Sequence, residues 1–171
     1  MSIVNSLKSI FFTPQDPERI ARVMTEKITK ASFKLFRNED FRRKNNFDKI
    51  NIIEQDRIFN EIVVSGISIA ILIFEALRNK SRSNRIDQFC DEMQIELESS
   101  YPNLLKELGS NPSDADLWKK LIRMRVEEYQ NDYEKNKKSI KKLTDMAFPY
   151  VFVVAISGSK HIARNKKKIV D

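Results

Sequence analysis

Six polar residues, Glu54, Arg57, Glu61, Ser65, Ser68 and Glu75, recur along a stretch that is largely apolar from Ile58 onward. On a helix turning ~100° per residue they fall within an arc of about 80°, broken by Leu72. Nearly every other position from Ile58 to Leu77 is apolar. Three kinds of chemistry fit such a stripe. It is first read as the helix's only solvent-facing edge. The second reading is a buried polar seam, with Glu61 or Glu75 paired to an Arg or Lys of another helix. The third is a small-ligand or enzyme site lined by Glu61, Ser65, Ser68 and Glu75. An unpaired buried carboxylate is costly, so burial of either Glu requires a partner. The two carboxylates lie 14 residues apart, roughly 21 Å along a helix, too far to act on one bond as a general acid/base pair.

Other catalytic sets are poorly supplied. His161 is the single histidine and Cys90 the single cysteine, which leaves no Cys/His zinc site. The Glu-x-x-His pairs of a four-helix di-iron site do not occur. Asp87, Asp91 and Glu92, or Asp114 and Asp116, are read as acidic helix faces and caps ahead of Mg²⁺ ligands. A Ser–His–Asp triad would need His161, which is expected in a frayed tail. Ser157-Gly-Ser-Lys160 lacks the spacing of a phosphate-binding loop and is read as a helix stop. Cys90, flanked by Phe89 and Met93, is read as a small core residue. No metal and no cofactor is expected.

The net charge is +7, unevenly spread. Residues 1–60 carry 12 basic and 8 acidic side chains, 61–120 carry 7 and 10, and 121–171 carry 12 and 6. Basic clusters stand at Arg42, Arg43 and Lys44, at Lys137, Lys138 and Lys141, and in the tail at Lys166, Lys167 and Lys168. They suit an anionic partner, so nucleic-acid binding is the alternative function. Trp118, Tyr129 and Tyr133 share an apolar helical stripe and read as core, not as base-stacking platforms.

The elements that must position these groups are helical. Gly and Pro are few, and two-residue alternation is scarce. The residues from Ser2 to Phe12 form an amphipathic pattern through Ile3, Leu7, Ile10 and Phe11. Asp16-Pro17-Glu18 is a strong helix start for a helix to about Arg37. A brief basic piece follows at Phe41–Lys44. The central helix is predicted over 48–79. Further helices are predicted from Arg85 to about Ser99, from Pro102 to a stop at Gly109, and from Asp114 to about Lys142 behind a capping box at Ser113–Asp116. The apolar segment Met146–Ser157 is read as helix despite the strand propensity of Val151–Val154, with Gly158 ending it.

The expectation is an all-α, single-domain bundle of six to eight helices over 1–159, with a basic tail at 160–171. Its predicted core is Ile58, Ile62, Val63, Ile67, Ala70, Ile71, Phe74, Trp118, Ile122, Tyr129, Val151, Val154 and Ile156. The leading function is a non-catalytic interaction module that binds a protein partner or forms a homo-oligomer. One cysteine and no export-type start point to a cytoplasmic, reducing compartment. Residues 58–77 have the length of a membrane span, but their carboxylates disfavour insertion. Peripheral membrane contact through the basic tail is the other membrane reading.

Overall fold

The computed structural model describes residues 16–143 and 149–163. It is all-helical, with six helices packed as one bundle around a long buried apolar helix. Helix α1 is Pro17–Phe36, α2 is Glu39–Lys44, α3 is Ile52–Arg78, α4 is Asn84–Glu107, α5 is Ala115–Leu143 and α6 is Pro149–Ile162. Single 3₁₀ turns at Phe47–Lys49 and Pro112–Asp114 lead into α3 and α5. The amphipathic segment 2–12 and the tail beyond 163 lie outside the described residues.

Local chemistry sets most boundaries. Asp16 caps α1 by accepting from the Arg19 amide at 3.3 Å, and Pro17 takes the first helical position. Asn38 accepts from the Phe41 amide at 2.9 Å and starts α2. The central helix starts at Ile52, later than expected, because Asn46 is left-handed (φ 52°) and Asn51 supplies the cap, bonding the Glu54 amide at 2.9 Å. Gly109 adopts φ 93° at the end of α4. Its amide and that of Ser110 return to the carbonyls of Lys106 and Leu105, a glycine-terminated C-cap.

Three expectations are corrected. Helix α4 does not break before Pro102 but runs through it. Proline costs a helix interior ~3 kcal/mol, and the turn around it is held from elsewhere. The Ser99 and Ser100 hydroxyls donate to the Ile95 and Leu97 carbonyls, at 3.1 and 3.0 Å. Buried Tyr101 donates to Asn60 Oδ1 at 2.6 Å and meets Trp118 edge-on. The capping box at Ser113 is replaced by Asn111, which accepts from the Ser113 amide at 3.1 Å. Helix α6 does not stop at Gly158 but continues to Ile162. There Arg57 of α3 donates to the carbonyls of His161 and Ile162, at 2.8 and 3.4 Å, so a side chain from another helix caps its end.

Around α3 the other long helices form an incomplete ring. Helix α1 packs on α4, α4 on α5 and α5 on α6, and all four pack on α3. Helices α1 and α6 barely touch, so the ring is open between them. The main core joins Val63, Val64, Ile67, Ile71 and Phe74 of α3 to Cys90, Met93, Leu97 and Tyr101 of α4 and Ile122 of α5. A second core joins Leu72 to Tyr129, Tyr133, Val153 and Val154. Val151 and Ile156, expected in the core, are 37% and 46% exposed. They flank the face of α6 that turns Val153, Val154 and Ser157 inward. Helix α3 has the length and apolarity to cross a membrane, and 56% of its most apolar 18-residue stretch is buried within the bundle.

Two glycines set the spacing at the middle of α3. A Cβ on Gly66 would lie 2.6 Å from Ile28 Cγ2 of α1. A Cβ on Gly158 would lie 3.1 Å from Ser65 Oγ. Ile28 is β-branched and cannot swing that methyl aside without moving its rotamer or backbone. Gly66→Ala is therefore expected to destabilise by about 1–2 kcal/mol, overpacking outweighing Ala's ~1 kcal/mol helix preference. Urea unfolding checks this; in an Ile28→Ala background the same change should cost nothing.

Candidate functional site

The polar stripe of α3 faces inward, along α5 and the end of α6. The solvent-facing edge is thus corrected to a seam, buried at Glu61 and Ser68 and half-buried at Glu54, Arg57, Ser65 and Glu75. Glu61 is 8% exposed. Its two carboxylate oxygens accept from Arg125 of α5, at 2.7 Å from Nη2 and 3.1 Å from Nε. The Arg125 side chain is 12% exposed, and its remaining nitrogen donates to Glu128 at 3.1 Å. Glu128 also holds the single histidine, with His161 Nε2 at 3.0 Å from both carboxylate oxygens. One turn before Glu61, Arg57 and Glu54 form a two-contact pair at 2.6 and 2.8 Å. Arg57 thereby links the stripe to the α6 terminus.

The rest of the stripe is spent the same way. The hydroxyls of Ser65 and Tyr129 hydrogen-bond at 2.9 Å. Glu75 accepts from Gln130 Nε2 at 2.7 Å. Ser68 is fully buried and its hydroxyl has no hydrogen-bond partner among the described residues. It lies on the α3 face between the Glu61 and Glu75 contacts.

Electrostatics favour the charged form of both arginines. Burial alone would pull the Arg125 guanidinium down, but the Glu61 hydrogen bond and the Glu61 and Glu128 charges override it and hold it above its ordinary value. The Glu54 hydrogen bond likewise raises Arg57. Burial pushes the Tyr129 phenol up, only partly countered by Ser65 and Arg125. Burial, with Asp87 and Asp91 adding to it, pushes the Cys90 thiol up to about 11, far from the activated range of a nucleophile.

The seam therefore ties α3, α5 and α6 together, and both oxygens of Glu61 are taken by Arg125. Among the described residues, no group of three His, Cys, Asp or Glu side chains is placed to hold a metal ion. The four residues proposed from sequence do not converge on one cavity. Only Ser65 reaches the cavity that lies in the opening between α1 and α6. That groove holds about 530 Å³ and is lined by Ile28, Ala31 and Leu35 of α1, Ile62, Gly66 and Ile69 of α3, and Val151, Ala155 and Ile162 of α6. Phe41 of α2 closes one end. Its floor is the Ser65-Gly66 waist, where small residues leave α3 uncovered.

The basic clusters do not merge. Arg42 lies over the Phe47 ring at 4.6 Å, beside the start of α3, and Arg43 pairs with Asp40 at 2.6 Å. Lys44 belongs to the same short helix. Lys137 pairs with Glu134 at 3.0 Å and sits over Tyr133, which stacks on Tyr150 near the far end of α3. Lys138 is exposed nearby. The two clusters lie toward opposite ends of α3, one beside Gln55 and Phe59 through Phe47 and Phe36, the other beside Leu72 through Tyr133. The Lys141 side chain and Lys166, Lys167 and Lys168 lie outside the described residues.

Sequence reading missed Arg125 and Glu128, and it put His161 in a frayed tail, where the structure has it in the last turn of α6. One signal was present: Arg125 falls between Ile122 and Tyr129, at three- and four-residue steps, so a cation interrupts an apolar stripe. Comparison of the chain with protein-family models, with curated proteins and with solved structures gives no match.

Removing Arg125 strands a buried carboxylate. Arg125→Met is expected to cost about 3–5 kcal/mol, whereas Glu61→Leu with Arg125→Met should recover most of that loss. Urea unfolding of the two single variants and the double variant measures the coupling.

Proposed function

We propose that this protein is a non-catalytic helical interaction module. Its groove between α1 and α6 receives an amphipathic helix from a protein partner or from a second copy. The open ring carries this reading. Among the described residues four helices pack in sequence around α3, and the gap between α1 and α6 leaves Ile62, Gly66 and Ile69 of the central helix lining the groove. A helix with its side chains is ~10–12 Å across, and helix-in-groove recognition uses apolar walls of this kind. Leu35 and Val151 stand on the two sides, both more than a third exposed. Enzyme chemistry has little to draw on here. The ionisable groups of the seam are consumed internally, and Ser65 is the one stripe residue at the groove.

The test compares two baits. Ala31 and Ala155 are exposed groove residues, so Ala31→Glu/Ala155→Glu should fold with an unchanged helical spectrum while charging both walls. Pull-down from cells together with light scattering of the purified chain is expected to show a partner, or a dimer, that the double variant loses at least about tenfold. A partner held equally by both baits, or a monomer with no partner, would contradict the proposal.

A further inference from the structure

We infer that the partner of the groove is an acidic amphipathic helix, with its apolar face on the α3 floor and its carboxylates along the α1 rim. The inference rests on the groove being the recognition surface and adds the chemistry of what that surface receives.

Among the described residues, no ionisable side chain lines the groove. Charge enters at its α1 rim. Taking Ile28 as zero at ~100° per residue, Ala31 lies near −60°, Lys27 near −100° and Lys34 near −120°. On the opposite flank, Thr25 lies near +60°, Glu18 near +80° and Arg22 near +120°. That flank faces α4, because Thr25 meets Ser100 and Arg22 meets Glu107 at 3.0 Å. Lys27 and Lys34 therefore stand on the groove side, just beyond the exposed wall residue Ala31.

The two flanks also differ in pairing. Arg22 is held by Glu26 and Glu107, at 3.2 and 3.0 Å. Lys27 and Lys34 are exposed and make no ion pair with another described residue. They stand two turns apart, ~10 Å along α1. The opposite wall supplies no counter-charge, since Pro149–Ile162 contains neither Asp nor Glu. An uncharged apolar groove thus carries unneutralised positive charge along one rim. Opposite charge in a partner is favoured there and like charge is rejected.

The occupant is a separate helix and not a second copy of this bundle. The acidic helix here is α4, with Asp87, Asp91, Glu92, Glu96, Glu98 and Glu107. Among its large apolar side chains Ile95 is the one left exposed, at 62%, so a folded copy offers acid without an apolar face. Leu117 and Met124 of α5 are exposed two turns apart, but Lys120 stands between them and would oppose the lysine rim. An anionic bilayer fits less well, because the Gly66 floor is recessed between two helices. A single helix enters such a recess.

The experiment presents the full chain with a displayed library of helical peptides, about 15 residues long, with leucine fixed along one face and both flanks randomised. Selection on the wild type is expected to enrich Asp and Glu on one flank. Lys27→Glu/Lys34→Glu should weaken the selected peptides about tenfold. Selected on afresh, that variant should enrich Lys and Arg on the same flank. Lys106→Glu/Lys120→Glu, an equal change of net charge on α4 and α5, should alter neither affinity nor selection. Binders lost in Ala31→Glu/Ala155→Glu that nonetheless carry neutral or basic flanks would overturn this inference and leave the groove reading standing. Binders indifferent to Ala31→Glu/Ala155→Glu, or no binders at all, would remove the groove reading and this inference with it. Groove-dependent binding of phosphatidylserine vesicles with no selected peptide would assign the face to a bilayer and contradict the acidic helix.

Discussion

Everything in this bundle depends on satisfying Glu61. Helix α3 is apolar enough to be buried on nearly all sides, yet it carries a carboxylate into that interior. A charge there is tolerated only with a partner of good geometry and with its remaining hydrogen bonds filled. Arg125 supplies both contacts to Glu61, Glu128 takes the guanidinium's spare nitrogen, and His161 closes onto Glu128. The pairing constrains three helices at once. It sets the register of α5 on α3, and through Glu128 and Arg57 it fixes the end of α6. Buried ion pairs add little net stability compared with apolar packing. Their contribution here is register: an α3 slipped by one turn would carry Glu61 away from Arg125, to the place where Ser65 meets Tyr129 or where Arg57 meets the α6 carbonyls.

The seam and the groove occupy different faces of the same helix. On one side, Arg57, Glu61, Ser65 and Glu75 each meet a polar group of α5 or α6. On the other, Ser65 and Gly66 are small, and the neighbouring helices draw close to α3 without closing over it. Gly66 admits Ile28, and Gly158 admits Ser65 and Tyr129. The glycines thus bring both walls close while leaving the floor between them open. An apolar opening of this kind in an otherwise charged molecule is the surface on which the proposed binding function rests.

Much of the architecture was legible because it is local. Asp16-Pro17 starts α1, Gly109 ends α4, and the apolar run of α3 is the core, each from residue types acting within a few positions. The stripe on α3 was also legible as an arc. Its environment was not, because a helical wheel gives the angle of Glu61 and not what lies opposite. That answer needs Arg125, 64 residues away. Pro102 and Gly158 misled for the same reason. Their local preferences to break a helix are overridden by Tyr101 with Asn60, and by Arg57 at the α6 terminus. The groove had no sequence signature at all, since it is defined by a contact that α1 and α6 do not make.

The central claim is that the seam locks α3 into the bundle as its most stable element, with the groove walls the looser parts around it. Native-state hydrogen exchange resolved by residue tests this directly. Amides from Glu61 to Phe74 are expected to exchange only through global unfolding, with the same denaturant dependence as the whole protein. Amides of α6 from Val151 to Ser159 should open at lower free energy. Exchange of the α3 amides by local opening, at or below the free energy of α6, would contradict the account.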